Sequence, residues 1–406
     1  MTEITDFAPL LLLVTAAVAL AVMSTMLTGR IPVPAPAVFL VAAAVVSDLW
    51  PRLYEEVPIL TVERIAVVAL IVILFNGGMD IGWGRFRVAA GPILLLGVLG
   101  TFATAGILAA FAHYALGFDW TPAGIIGAAL APTDPAVMFS VLGRREIVGR
   151  SGTTLEGEAG VNDPAGIALM IGLIELATHP DASFFVVVRE FAVEMSIGTA
   201  MGFAGAFVLL PLLRRLRLPA EGFYPVLALA LAGALYSATS LARGSGFLAV
   251  FIAGLVVGSA RLPYKREIQR FHTALASLAE IVVFVGLGLT VNLGSLTARV
   301  WADAVLLLLM LALVARPLVV ALTLARTRLR WAERAFIAWS GLKGAVPILL
   351  AAFAVIGGVP SAANVYGIVF VVVLLSVVGQ GTLVPLVAGT LRIPMHERPL
   401  RPANPR

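Results

Sequence analysis

Ala131-Pro132-Thr133-Asp134-Pro135 stands in the middle of an apolar run that covers residues 121–143. Proline has no N–H and clashes with the preceding turn, so Pro135 leaves the carbonyl of Ala131 without its helical donor. The residue before each proline is also pushed out of the α region. The stretch therefore predicts a membrane helix broken near its centre, with Thr133 and Asp134 in the gap. Such backbone is tolerated at membrane depth only where protein or a cavity surrounds it. The plainer alternative is a proline kink that relieves packing, with a charge paired elsewhere.

The next apolar run, 152–178, carries Glu158-Ala159-Gly160-Val161-Asn162-Asp163-Pro164. A carboxylate at a helix centre costs roughly 2.5–3.5 kcal/mol on insertion scales, so an intramembrane aspartate faces a cavity, a partner or a transported ion. Counted from the inner end of its run, Asp163 lies roughly 16 Å deep, and Asp134, counted from the outer end of its own, roughly 20 Å. Both reach the bilayer middle. Glu158 and Asn162 share a helix face, and Glu156 and Asp163, seven apart, align again. Carboxylate, amide oxygen, hydroxyl and backbone carbonyl are hard donors, suited to an alkali cation rather than a soft metal.

Two cations answer these anions. Arg316 lies about 14 Å from the inner face and Glu158 about 9 Å, close enough to pair; a forked, always-charged guanidinium makes that pair a structural clamp more readily than a titrating site. Lys343, in Ser340-Gly341-Leu342-Lys343-Gly344-Ala345-Val346-Pro347, marks a second broken helix and is placed to neutralise exposed half-helix carbonyls. Glu280, Glu194 and Glu175 read as paired, interfacial or cavity-lining, and Asn76 as cavity-lining. Gly379-Gln380-Gly381-Thr382 permits close helix packing.

The chain around these motifs is 60% hydrophobic and 13% charged over 406 residues, which excludes a water-soluble domain and marks an integral membrane protein. It has no cysteine, and its four histidines, at 113, 179, 272 and 396, lack metal-ligand spacing, so neither a metalloenzyme nor a resident cofactor is expected. Met1-Thr2-Glu3-Ile4-Thr5-Asp6 has no basic leader, so the first apolar run is expected to be retained. About thirteen runs are long enough to span a bilayer: 7–27, 32–49, 62–83, 89–116, 121–143, 152–178, 184–213, 223–241, 245–259, 270–296, 298–325, 332–356 and 364–390. With the amino terminus outside and the carboxyl terminus cytoplasmic, 21 of the 28 Lys and Arg residues fall on the inner side. That bias fits the positive-inside rule, so the net charge of +5 is topology rather than nucleic-acid binding. Runs 1–6 and 8–13 would form two inverted six-helix units linked by run 7, a transporter arrangement.

Taken together, Thr133-Asp134-Pro135, Glu158 with Asn162-Asp163-Pro164, Ala315-Arg316 and Gly341-Leu342-Lys343-Gly344-Ala345 resemble the monovalent cation:proton antiporter superfamily, in its NhaP and NHE branch. The resemblance covers nearly the whole chain in the right order. It implies an all-α polytopic membrane protein of the NhaA/NhaP-like antiporter fold, with broken fifth and twelfth helices that cross. It implies Asp163 as the cation- and proton-binding carboxylate, with Asn162, Thr133 and Asp134 in or beside the site, and Asp163 and Thr133 as ligands of the alkali cation. Glu158 would pair with Arg316, and Lys343 would balance the helix breaks. A core of about 89–178 and 298–390 would move against a dimerisation scaffold of about 7–83 and 184–296. A homodimer in the inner membrane of a prokaryote, serving pH homeostasis without a soluble regulatory domain, is the further expectation. Ala159 stands where some relatives place serine, Lys343 where arginine is common, and Asn76 where several bacterial relatives carry aspartate.

The mechanism expected is competition of Na⁺ or K⁺ with H⁺ for Asp163. Asn162, where electrogenic relatives carry a second aspartate, implies one-for-one, electroneutral exchange. Three readings compete: an intramembrane aspartyl protease using Asp134 and Asp163, a sodium-coupled organic-solute symporter, and a passive cation channel.

Overall fold

The computed structural model describes residues 34–50, 57–142, 145–147, 149–179 and 183–397, with isolated positions 12, 15, 19, 22 and 23. The first apolar run lies, those positions apart, outside the described residues, as do Arg30, Arg52, Arg144, Arg398, Arg401 and Arg406. The rest is nearly all helix. In chain order come α1 (Ala35–Leu49), α2 (Ile59–Leu94), α3 (Thr101–Tyr114), α4 (Trp120–Leu130) and α5 (Pro135–Leu142). After strand β1 (Arg145–Ile147) follow α6 (Arg150–Thr178), α7 (Phe184–Arg215), α8 (Phe223–Leu241), α9 (Gly246–Ser259) and α10 (Lys265–Leu289). The last third holds α11 (Ala298–Met310), α12 (Arg316–Thr323), α13 (Trp331–Trp339), α14 (Ala345–Ile356), α15 (Ala362–Leu375), α16 (Val384–Thr390) and β2 (Met395–Glu397). Three π-helical segments, Leu95–Gly100, Leu311–Ala315 and Ser376–Gln380, continue α2, α11 and α15.

Among the described residues eight helical stretches are long and apolar enough to cross a membrane, and three shorter apolar helices accompany them. The longest, Ile59–Tyr114, is not one rod. Gly82, at φ 67° and ψ 149°, leaves the helical region inside α2, a conformation that glycine alone adopts without strain. The expected third and fourth runs are the two sides of that break. Arg85 and Arg87, expected in a connection, belong to helix beyond it, because Arg85 Nε and Nη2 donate to the carbonyls of Ile81 and Asp80 that the break frees. Lys265, Arg266 and Arg270, likewise expected in a connection, open α10; Lys265 Nζ donates to the carbonyls of Gly258 and Ala260 at the end of α9.

The packing follows small residues. A side chain on Gly78 would press on the Phe251 carbonyl, and one on Gly254 on the Phe75 carbonyl, so α2 and α9 touch backbone to backbone. α10 packs on α1 and α2, α6 on α2 and α7, α14 on α15 and α4. α6, α14 and α15 are buried on nearly all faces, whereas α7 and the α11–α12 helix present Phe207 and Leu313 outward, as lipid-facing helices do. One element departs from an all-α reading: β1 and β2 pair antiparallel, Arg145 opposite Glu397 and Ile147 opposite Met395. This ribbon ties the chain after α5 to the segment after α16.

Candidate functional site

The two breaks meet. Residues 131–134 between α4 and α5 and residues 341–344 between α13 and α14 lie across one another, and Asp134 N–H donates to the Leu342 carbonyl at 2.9 Å. Four half-helix ends thus point at one spot, each bringing unsatisfied backbone groups and a partial charge. The side chains nearby satisfy them. Lys343, fully buried, donates from Nζ to the carbonyls of Ala131 (3.0 Å) and Pro132 (2.7 Å) at the negative end of α4. The Asp134 carboxylate accepts the N–H groups of Ala136, at 2.9 Å, and Val137 on α5 and of Ala345 on α14, so one anion caps two positive ends. A Cβ on Gly344 would collide with that carboxylate, which is why the break ends in glycine.

Beside the crossing opens a cavity of about 300 Å³. One wall comes from α2, α9 and α10, with Asn76, Asp80, Phe251, Thr273, Ser277 and Glu280; the other comes from the crossing, α6 and α14, with Asp134, Glu156, Ala159, Asp163 and Ala345. Asp163 is 8% exposed, and its carboxylate accepts no hydrogen bond from the described residues. Along the opposite wall Asn76 Nδ2 donates to Asp80 Oδ2 at 2.9 Å and Thr273 Oγ1 to Asn76 Oδ1 at 3.3 Å, while Glu280 Oε1 is buried without a hydrogen-bond partner among the described residues.

Behind Asp163 the polar groups bond to one another, although Asn162 Oδ1 and Arg316 Nε are buried without a partner among the described residues. Asn162 Nδ2 donates to Thr133 Oγ1 at 2.8 Å, and neither residue lines the cavity. Arg316 forks onto Glu158, Nη1 to Oε1 at 2.5 Å and Nη2 to Oε2 at 2.8 Å, with both residues 3% exposed or less. Gly341 leaves the room for that guanidinium, since a Cβ there would meet Arg316 Nε at 2.5 Å.

The structure therefore brings Asp163, Asp134, Asn76, Ala159 and Glu280 to one cavity, and sets Thr133, Asn162, Glu158, Arg316 and Lys343 around it. Glu175 and Glu194 line no part of it. Sequence reasoning passed over Asp80, Thr273 and Ser277. Their spacing carried a signal: Asn76 and Asp80 are i,i+4 on α2, and Thr273, Ser277 and Glu280 follow at i, i+4 and i+7 on α10, so each helix carries a polar stripe.

Known proteins share the sequence pattern and the fold of this chain. The sequence profile described as sodium/hydrogen exchanger, transmembrane, matches residues 14–389. The K(+)/H(+) antiporter NhaP of Alkalimonas amylolytica is 35% identical over 378 residues, 92% of this chain and 65% of that protein. The K(+)/H(+) antiporter NhaP2 of Shewanella sp. strain ANA-3 is 31% identical over 391 residues, 94% of this chain and 67% of the relative. The chain thus spans about two thirds of the length of these relatives. The structure of the sodium proton antiporter MjNhaP1 from Methanocaldococcus jannaschii at pH 8 superposes with a TM-score of 0.75 at 21% identity, covering 91% of this chain and 99% of that one, which shows a common fold. With the profile spanning nearly its full length, the chain belongs to the transmembrane sodium/hydrogen exchanger family.

Proposed function

We propose that this protein exchanges a monovalent cation for a proton across a prokaryotic inner membrane, with Asp163 as the group that binds both. The observation that carries the proposal is the state of that carboxylate: buried, facing a cavity, and without a hydrogen bond from the described residues. A carboxylate in such a place is discharged by a proton or by a cation, and one site cannot hold both strongly. Gradients alone then drive exchange, and no cofactor is required. K⁺ is the first cation to try, since the two relatives named above are K⁺/H⁺ antiporters, with Na⁺ the second.

The surroundings support the roles assigned to the other residues. Glu158 and Arg316 form the clamp, Lys343 and Asp134 balance the crossing, and Asn162 and Thr133 buttress Asp163 from behind. The cavity separates helices of the expected scaffold, α2, α9 and α10, from those of the expected core, α5, α6 and α14, which suits alternating access by a core moving against a dimeric scaffold. The protease alternative loses its dyad, because three backbone N–H groups occupy the Asp134 carboxylate.

The test is cation-dependent proton flux in everted vesicles or proteoliposomes, repeated with each alkali chloride. Wild-type protein is expected to move protons against K⁺ or Na⁺, and Asp163→Asn, which keeps the shape and removes the charge, to abolish flux while remaining folded. Substantial flux in the folded variant overturns the assignment.

A further inference from the structure

The glycine-flanked Gln380 has no part in the site as described so far. Gly381 has a packing reason, since a Cβ there would meet Pro34 Cγ at 3.0 Å, but Gln380 is a buried amide that packing alone does not require. It lies in the π segment Ser376–Gln380 that continues α15. The wider winding of a π-turn brings the side chain four residues on close to the face of the first, and such turns concentrate at functional sites. Ser376 and Gln380 use that shared face. Ser376 Oγ accepts the Lys343 N–H at 3.1 Å and donates to Gln380 Oε1 at 3.2 Å, and Gln380 Nε2 donates to the Trp339 carbonyl at 2.6 Å. Trp339 ends α13, and Lys343 lies in the extended segment before α14. The two side chains therefore span the break from one edge to the other and satisfy a backbone group on each side that no helix satisfies. The orientation of the amide follows from the partners, because a backbone carbonyl accepts only from the NH₂ end.

We infer that Ser376 and Gln380 are positioning residues for exchange, holding the α13–α14 break in register so that the Lys343 ammonium stays on the Ala131 and Pro132 carbonyls at the end of α4. The inference rests on the antiporter reading given above. The crossing is held by few direct links: the Asp134–Leu342 backbone bond, the Asp134 caps and the two Lys343 Nζ bonds. A shift of the 341–344 segment would move the Lys343 ammonium off the Ala131 and Pro132 carbonyls, and misplacement of about 1 Å in a working site costs up to two orders of magnitude in rate.

The experiment uses the full chain in proteoliposomes, with proton flux driven by K⁺ or Na⁺ and thermal unfolding recorded on the same preparations. Ser376→Ala and Gln380→Met are each expected to lower kcat about tenfold per folded molecule. Gln380→Met keeps most of the volume but can neither accept from Ser376 nor donate to the Trp339 carbonyl, so it decides the matter if Ser376→Ala does not fold. Ser376→Thr, which keeps the hydroxyl, is expected to retain most of the activity. The discriminating arm is a cycle with Lys343→Gln: without an ammonium to position, adding Ser376→Ala should cause no further loss of kcat, whereas a merely structural serine gives losses that multiply. Multiplying losses, or wild-type kcat in folded Gln380→Met, overturn the inference and leave the antiporter reading intact. Absence of cation-driven proton flux in the wild-type chain overturns both.

Discussion

Two buried carboxylates five residues apart on α6 meet opposite surroundings. Glu158 receives two charge-assisted bonds from Arg316, while Asp163 faces the cavity and receives none from the described residues. A bidentate pair withdrawn from water is held by its own geometry, and removing one partner strands the other charge. We expect Glu158→Gln and Arg316→Ala each to cost about 3–5 kcal/mol of stability, and Glu158→Gln combined with Arg316→Met to recover a large part of it, as thermal unfolding in detergent will measure. Singles that unfold like wild type, or a double variant worse than either, would remove the clamp. The division of labour was partly legible: Asp163 betrayed itself as a charge in an apolar run, and Arg316 was the cation at matching depth. Thr133 was harder to read. Its hydroxyl sits one residue from Asp134 in the chain, yet it turns toward Asn162 and away from the cavity, a choice set by tertiary packing rather than by spacing.

At the scale of elements, proline spacing announced both breaks but not that they cross. Pro135 frees the Ala131 carbonyl by local chemistry; which donor answers it depends on α14 arriving from more than two hundred residues away, where Lys343 supplies it. The three π segments had no readable signal, since each looks like ordinary apolar helix. They lie in the fourth, eleventh and thirteenth runs, while the fifth and twelfth runs are the broken ones. The first π segment rests on α6, where a Cβ on Gly97 would meet Val161 Cβ at 2.8 Å, and the second ends at Arg316. The β1–β2 ribbon was likewise invisible, because three-residue strands carry almost no periodicity. The crossing itself makes a sharp prediction at Gly344. Gly344→Ala drives a methyl into the Asp134 carboxylate, so either the caps on α5 and α14 break or the 341–344 segment shifts. We expect a loss of about 1–3 kcal/mol from overpacking, with exchange reduced further than stability implies, measured as flux per folded molecule against the unfolding midpoint. Wild-type flux in Gly344→Ala would mean that the crossing tolerates displacement.

For the molecule as a whole, the number of charges that cross the membrane per cycle depends on how many acids change state with the load. Asp134 is held by three backbone N–H groups, Glu158 by Arg316, and Asn162 is a neutral amide tied to Thr133. Glu280 shares the cavity with Asp163 but belongs to α10, on the scaffold side of the proposed movement, so it need not travel with the loaded site. Glu156 also lines the cavity from α6, where it has a partner of its own; with its charge state constant through the cycle, Asp163 carries either one H⁺ or one cation and no net charge crosses. The expected result is exchange in proteoliposomes whose rate, driven by a pH gradient, does not change when the membrane voltage is stepped with a lipophilic ion that replaces neither K⁺ nor Na⁺. A charge moved through 100 mV is worth about 2.3 kcal/mol, so even a single uncompensated charge per cycle would register strongly. The same measurement on Glu280→Gln separates the two acids: exchange that survives and stays insensitive to voltage removes Glu280 from the load. A wild-type rate that follows voltage, made insensitive by Glu280→Gln, would instead bring Glu280 into the transported charge and end the one-for-one reading.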